Sequence, residues 1–172
     1  AVDTDFGGVA RLYSRRFRRD VDASRARVVL DVGYSGSMLL ILKGRQIVFC
    51  KPVPIGGRHF DQRVAERLDI DPLAAAELRQ ARMNNVGTLA ESTDGAVSEA
   101  IRPVLAELGR ESMLCLRHFS VSVRGDRLDH LVVSGAHAME PGLAELLNSA
   151  CRLSVQLDDE SACMADLQTG LA

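Results

Sequence analysis

Asp31-Val32-Gly33-Tyr34-Ser35-Gly36-Ser37 joins a carboxylate to a glycine-rich turn carrying two hydroxyls. Glycines let backbone approach an anion closely, and exposed N–H groups with the Ser35 and Ser37 hydroxyls can cradle phosphate oxygens. A strand-end carboxylate such as Asp31 can hold magnesium through water. Ile55-Gly56-Gly57-Arg58-His59-Phe60-Asp61 is a second anion site, because two glycines at a helix start leave amides at the positive end of the helix dipole. The third segment runs from Val133 to Leu143. There a strand ends in Gly135 just ahead of a helix, at the sheet edge where α/β proteins bind ligands, and His137 can stack on a base. Each segment read alone is also an ordinary turn: a glycine-rich hairpin, a strand-to-helix turn anchored by Phe60, a loop with a histidine. A nucleophile elbow at Ser35 fails, since its last glycine is missing and a strand follows where a helix is needed.

The elements that must position these residues follow from apolar periodicity. Ala1 to Arg19 reads as an amphipathic helix, with Phe6, Val9, Ala10, Tyr13 and Phe17 on one face and the basic cluster Arg15, Arg16, Arg18 and Arg19 at its solvated end. Val28 to Leu30, Gly36 to Leu42 and Gln46 to Cys50 are three strands joined by short turns, an antiparallel meander stopped by Pro52 and Pro54. Gly56-Gly57 opens a helix, and Asp71-Pro72 caps another over Leu73 to Arg82. Asn84 to Asp94 reads as a loop. A long helix follows through Val97, Ile101, Val104, Leu108, Cys115 and Phe119, which Pro103 bends or begins. Leu128 to Ser134 is a strand, Glu140-Pro141-Gly142 starts a helix, Leu153 to Leu157 is a short strand, and Ser161 to Leu171 is a closing helix. The order predicts an α/β domain of the ribonuclease-H-like fold: a mixed five-stranded sheet with helices on both faces and a small helical insert. The expected boundaries are a connector helix and linker over 1–26, the domain proper over 27–172, and an insert lobe at about 58–93.

With 172 residues, 47% of them hydrophobic, the chain can bury one real core. A net charge of −2 argues against broad nucleic-acid binding, which needs a basic surface. No apolar run approaches the length of a membrane span, and no secretory signal opens the chain. Cys50, Cys115, Cys151 and Cys163 are widely spaced, form no CxxC and sit at no zinc-ligand spacing, so they are expected as reduced thiols.

Taken together, the order and spacing of the three segments resemble the second half of PilM-type pilus assembly proteins, actin-like relatives of the division protein FtsA. Val29-Leu30-Asp31-Val32-Gly33 with Ser35 and Ser37 is similar to the family's second phosphate loop, and Pro54-Ile55-Gly56-Gly57-Arg58-His59-Phe60 to its Gly-Gly-x-x-Phe segment. Arg102 to Leu108 resembles the family's long helix, Val132-Val133-Ser134-Gly135 with Pro141-Gly142-Leu143 its adenosine-side motif, and Gly170-Leu171-Ala172 its domain ending. The resemblance implies that Asp31 lies near magnesium without being a direct ligand. It implies that Gly33, Ser35, Ser37, Gly56 and Gly57 line the phosphates, and that Gly135 borders the nucleoside. No catalytic residue is implied. It further implies ATP and magnesium as cofactors of the whole protein, with weak hydrolysis, and a place on the cytoplasmic face of the inner membrane. The implied partner is a cytoplasmic segment of a PilN-type membrane protein, held mainly by a first domain, with self-association as a further option.

The chain departs from the pattern at Ala136, where the family carries a second glycine, and a methyl group there crowds a nucleotide. A complete actin-like ATPase has two halves around a cleft, so the chain is expected to be one excised half. Its expected role is a scaffold or coupling component of a type IV pilus or type II secretion platform. The alternatives are half of a sugar- or acetate-kinase-type phosphotransferase, and a degenerate actin-like module that binds no nucleotide.

Overall fold

The computed structural model describes residues 26–44, 46–84, 89–122 and 128–158. Alternating apolar residues build the sheet. β1 (Ala26–Val32) turns Val28, Leu30 and Val32 to one face and Val29 to the other, and all four are fully buried. β2 (Ser37–Lys43) and β3 (Gln46–Val53) complete the antiparallel meander, with Leu30 opposite Leu39 and Leu39 opposite Lys51. β4 (Leu128–Ser134) then pairs parallel with β1, and β5 (Ser154–Leu157) parallel with β4. The sheet order is β3-β2-β1-β4-β5, mixed and five-stranded as the sequence predicts.

Among the described residues, the helices are α1 (Gly57–Leu68), α2 (Pro72–Asn84), α3 (Glu91–Ser122) and α4 (Leu143–Cys151). Phe60 and Val64 of α1, Ile101, Leu108 and Phe119 of α3, and Leu143 and Leu147 of α4 share one core with Val28, Leu30, Leu39 and Leu131 of the sheet. The segment expected as an insert lobe, 58–93, places Phe60, Val64, Ala65 and Ala75 in that same core. On the opposite face Val29, Leu40 and Leu42 form a second, smaller cluster with Met38 and Val132. The helices expected over 1–19 and 161–171 lie outside the described residues. So do the basic cluster of Arg15 to Arg19, Cys163, and the turn residues Arg45 and Arg124 to Asp126.

Three boundaries differ from expectation: β3 does not stop at Cys50 but runs through Pro52 to Val53, which its place at the edge of the sheet allows. The loop predicted over Asn84 to Asp94 is shorter, because α3 begins at Glu91 and α2 runs on to Asn84. The polar run that suggested a loop is the helix's own first turn: Glu91 and Asp94 complement its positive pole, and the Thr93 and Asp94 amides donate to the Ala90 carbonyl. Pro103 does not start α3, which passes through it for 32 residues. It removes one ladder hydrogen bond, that to the Glu99 carbonyl. The cap of α2 is as expected, with Asp71 Oδ1 accepting from the Leu73 amide at 2.8 Å.

Candidate functional site

Parallel pairing of β1 with β4 sets Asp31 opposite Ser134, so two segments far apart in sequence end at one corner of the sheet. Ser134 Oγ donates to Asp31 Oδ1 at 3.3 Å. Gly135 follows with φ of 95°, and a Cβ there would stand 2.6 Å from Asp31 Oδ1 and 2.7 Å from the Val32 carbonyl. Only glycine fits that position, for backbone conformation and for space. The His137 amide donates to the Val32 carbonyl at 3.1 Å and fixes the loop after β4 against the end of β1. Asp31 and Gly135, predicted to share one cleft wall, are therefore neighbours.

The β1–β2 turn and the start of α1 form the rest of the corner. Gly33 donates to the Gly36 carbonyl at 3.1 Å and leaves Tyr34 and Ser35 exposed at the tip. Gly56 lies flat on this turn: its Cβ would come within 2.5 Å of the Gly33 carbonyl and 2.6 Å of the Tyr34 carbonyl. The Gly57 amide donates to the Gly33 carbonyl at 2.9 Å, Arg58 to Tyr34 at 3.0 Å, and His59 to Gly56 at 2.9 Å. The free first-turn amides expected at α1 are thus committed to backbone carbonyls. His59 is half-buried and caps the helix by accepting the Gly56 amide on Nδ1 at 3.1 Å. Ser37 also turns inward; it is buried, and its hydroxyl donates to the Ile55 carbonyl at 2.6 Å. Of the predicted phosphate groups, Ser35 at the tip faces outward, and the Tyr34 and Ser35 amides take part in no backbone hydrogen bond among the described residues.

His137 sits on Gly57, where a Cβ would meet its Nε2 at 2.2 Å, and its ring lies 6.0 Å from that of Tyr34. Its Nδ1 is buried and has no hydrogen-bond partner among the described residues. Burial holds its pKa below the ordinary 6.5; the Arg79 charge pushes the same way and Asp61 opposes it.

Behind this loop runs a network of charges that the motif reading missed. Arg79, 1% exposed, bonds Asp61 of α1, Glu140 of the β4–α4 loop and the Gly57 carbonyl, and its guanidinium carbon lies 4.9 Å over the Phe60 ring. Arg82 bonds Glu140 at 3.1 Å, Asp94 at 2.6 Å and Ser98 at 2.6 Å. Charges buried this deeply persist only when paired. A sequence signal was present: Ala75, Arg79 and Arg82 fall at i, i+4 and i+7, and these are the buried residues of α2.

Among the described residues no three His, Cys, Asp or Glu groups could hold a metal, and no helix is long and apolar enough to cross a membrane. Cys50, Cys115 and Cys151 are free thiols, and burial pushes Cys151 up to about 11.

A sequence model of the family described as type IV pilus assembly protein PilM matches residues 9–169. The chain belongs to that family. The PilM assignment agrees with the sequence resemblance and with the fold of solved structures. A chain of a PilM–PilN type IV pilus biogenesis complex superposes with TM-score 0.73 at 24% identity, over 94% of this chain and 44% of that one. The ethanolamine utilization protein EutJ of Carboxydothermus hydrogenoformans gives 0.61 at 17% identity, over 86% and 48%. MreB5 of Spiroplasma citri bound to AMPPNP gives 0.67 at 12% identity, over 91% and 55%. These likenesses establish the actin-like fold, and the chain spans about half the length of the structures it matches. Among curated proteins none matches it in sequence.

An adenine nucleotide with magnesium, which the resemblance implies, fits this corner in part. The tip amides of Tyr34 and Ser35, the Ser35 hydroxyl and the half-buried Asp31 suit phosphate and hydrated magnesium, whereas Ser37 and the α1 amides are already bonded.

Proposed function

We propose that this PilM-type domain is one half of an actin-like scaffold that couples the cytoplasmic side of a type IV pilus or type II secretion platform to its membrane part. The match to the PilM family over residues 9–169 carries this reading. The partner is a cytoplasmic segment of a PilN-type membrane protein, bound mainly through the other half, and the complex lies on the cytoplasmic face of the inner membrane. A PilM–PilN complex among the structures similar to this chain supports the choice of partner.

In this reading nucleotide acts between the two halves. When bound it would supply phosphate charge that draws loops from both walls together. On this wall the Tyr34 and Ser35 amides would hold phosphate oxygens, and Asp31 would hold magnesium through water. The domain alone offers one wall, so it would leave the nucleotide's other side in water.

Co-purification tests the reading. The full-length protein retains a tagged PilN-type cytoplasmic segment, a variant lacking the other half does not, and deleting this domain abolishes pilus assembly. Normal assembly without the domain would overturn it.

A further inference from the structure

Between α3 and α4 lies an open cavity of about 680 Å³ that the sheet corner does not use. Its two ends differ. At one stand Arg82, Ser98 and Arg102. Arg82 donates to Asp94 through Nε, to Glu140 through Nη1 and to Ser98 through Nη2, which uses three of its five N–H donors. Arg102 is exposed and enters no ion pair or hydrogen bond among the described residues. The other end is apolar, formed by Leu105, Leu146 and Ala150. It closes where α4 rests on Gly109 of α3, whose Cβ would meet Leu146 Cδ2 at 2.6 Å and Ala150 Cβ at 3.2 Å. Gly142 faces Leu105, so the two helices run in the same direction and the positive pole of α4 lies at the arginine end. One exposed carboxylate, Glu145, stands on the α4 rim.

The slot is therefore an open groove with a cationic end and an apolar end: along α3, Leu105 lies about one helical turn from Arg102, and the Gly109 contact that closes the apolar end lies about two turns from it, roughly 10 Å. A small inorganic anion would leave the apolar end wet. A wholly apolar ligand would desolvate Arg102 and the spare Arg82 donors without pairing them. We propose that the slot docks a short segment of a partner protein. An aliphatic or aromatic side chain of the segment fills the Leu105–Leu146 end, and a neighbouring carboxylate pairs with Arg102. Glu145 across the groove selects a basic residue on the segment's other side. The proposal rests on the scaffold reading above and adds a second contact, in this domain, for a partner of stated chemistry.

A random twelve-residue peptide library displayed on phage, panned against the full-length protein and against its Ala106→Trp variant, tests it. Ala106 is an exposed lining residue, so the indole fills the slot without entering the core. Peptides selected by the parent and lost on Ala106→Trp carry an acidic residue beside a bulky apolar one. Synthetic copies, read by fluorescence anisotropy, bind Arg102→Glu roughly tenfold or more weakly, and affinity falls with salt. Replacing their acidic residue by lysine restores binding to Arg102→Glu. The proposal is overturned if no peptide distinguishes the parent from Ala106→Trp, or if those that do lack acidic residues or ignore the charge reversal. Retention of the PilN-type segment is measured separately, so loss of the scaffold reading and loss of this site are seen in different assays.

Discussion

Glu140→Gln removes one negative charge from the buried network while keeping the side chain's size. In the parent, Glu140 is 2% exposed and accepts from Arg79 through Nε and Nη2 and from Arg82 through Nη1. Glutamine keeps one carbonyl acceptor and turns an NH₂ group toward a guanidinium. Two arginines then share Asp61, which is buried, and Asp94, which is half exposed. Breaking a buried pair by removing one partner costs about 3–5 kcal/mol, because the remaining charge is left uncompensated. A domain of this size has about 5–15 kcal/mol in total. With a urea dependence of about 1–3 kcal/mol per molar, the unfolding midpoint should fall by roughly 2 M. Urea titration followed by far-ultraviolet circular dichroism measures this. An Asp61→Asn, Arg79→Met, Glu140→Gln triple variant, which removes Arg79 together with both carboxylates that it pairs, should recover part of the loss. A Glu140→Gln midpoint within about 0.5 M of the parent, at that same dependence, would refute the claim that the network bears stability.

Gly135→Ala should destabilise by about 1–3 kcal/mol through the strained backbone alone, with the contact to Asp31 added, and should lower the thermal midpoint; an unchanged midpoint would contradict the packing at the corner. Because the His137 pKa is lowered in the folded state, the unfolded chain binds more protons just below pH 6.5, so this group's contribution to stability is fully present above that pH and is lost as pH falls. His137→Gln should flatten the stability–pH curve below 6.5, and equal slopes in parent and variant would remove His137 as the cause. Ser37→Ala, which deletes the buried bond to the Ile55 carbonyl, should cost about 1–3 kcal/mol in the same urea assay. The domain by itself should bind magnesium-ATP weakly or not at all by isothermal titration, and micromolar binding lost on Asp31→Ala would show that one wall suffices.

Much of the fold was legible in the sequence. The meander was visible because Val28 to Leu30 and Gly36 to Leu42 are apolar runs punctuated by glycine, whereas the neighbourhood of Asp31 and Gly135 rests on the parallel β1–β4 pair, which apolar periodicity does not reveal. Gly56 and Gly57 marked a real close approach, but what approaches is the chain's own backbone and the His137 ring. Sequence spacing cannot distinguish a glycine kept open for a ligand from one kept small for a neighbour. Arg79 and Arg82 stayed hidden because arginine on a helix ordinarily points to water. Their partners Asp61, Asp94 and Glu140 arrive from three other parts of the chain.

The pairing of Asp31 with Ser134 spans 103 positions along the chain. Closing a segment of that length costs on the order of 4 kcal/mol by the logarithmic law for flexible loops. During synthesis at about 5–20 residues per second, the β1–β3 meander is complete for several seconds before β4 leaves the ribosome. Throughout that interval β1 is an edge strand with its hydrogen-bonding side open to any extended chain nearby. The corner that carries Asp31 and Gly135 is therefore assembled late, and the apolar stretch from Val28 to Leu30 is where a nascent chain is most exposed to mispairing.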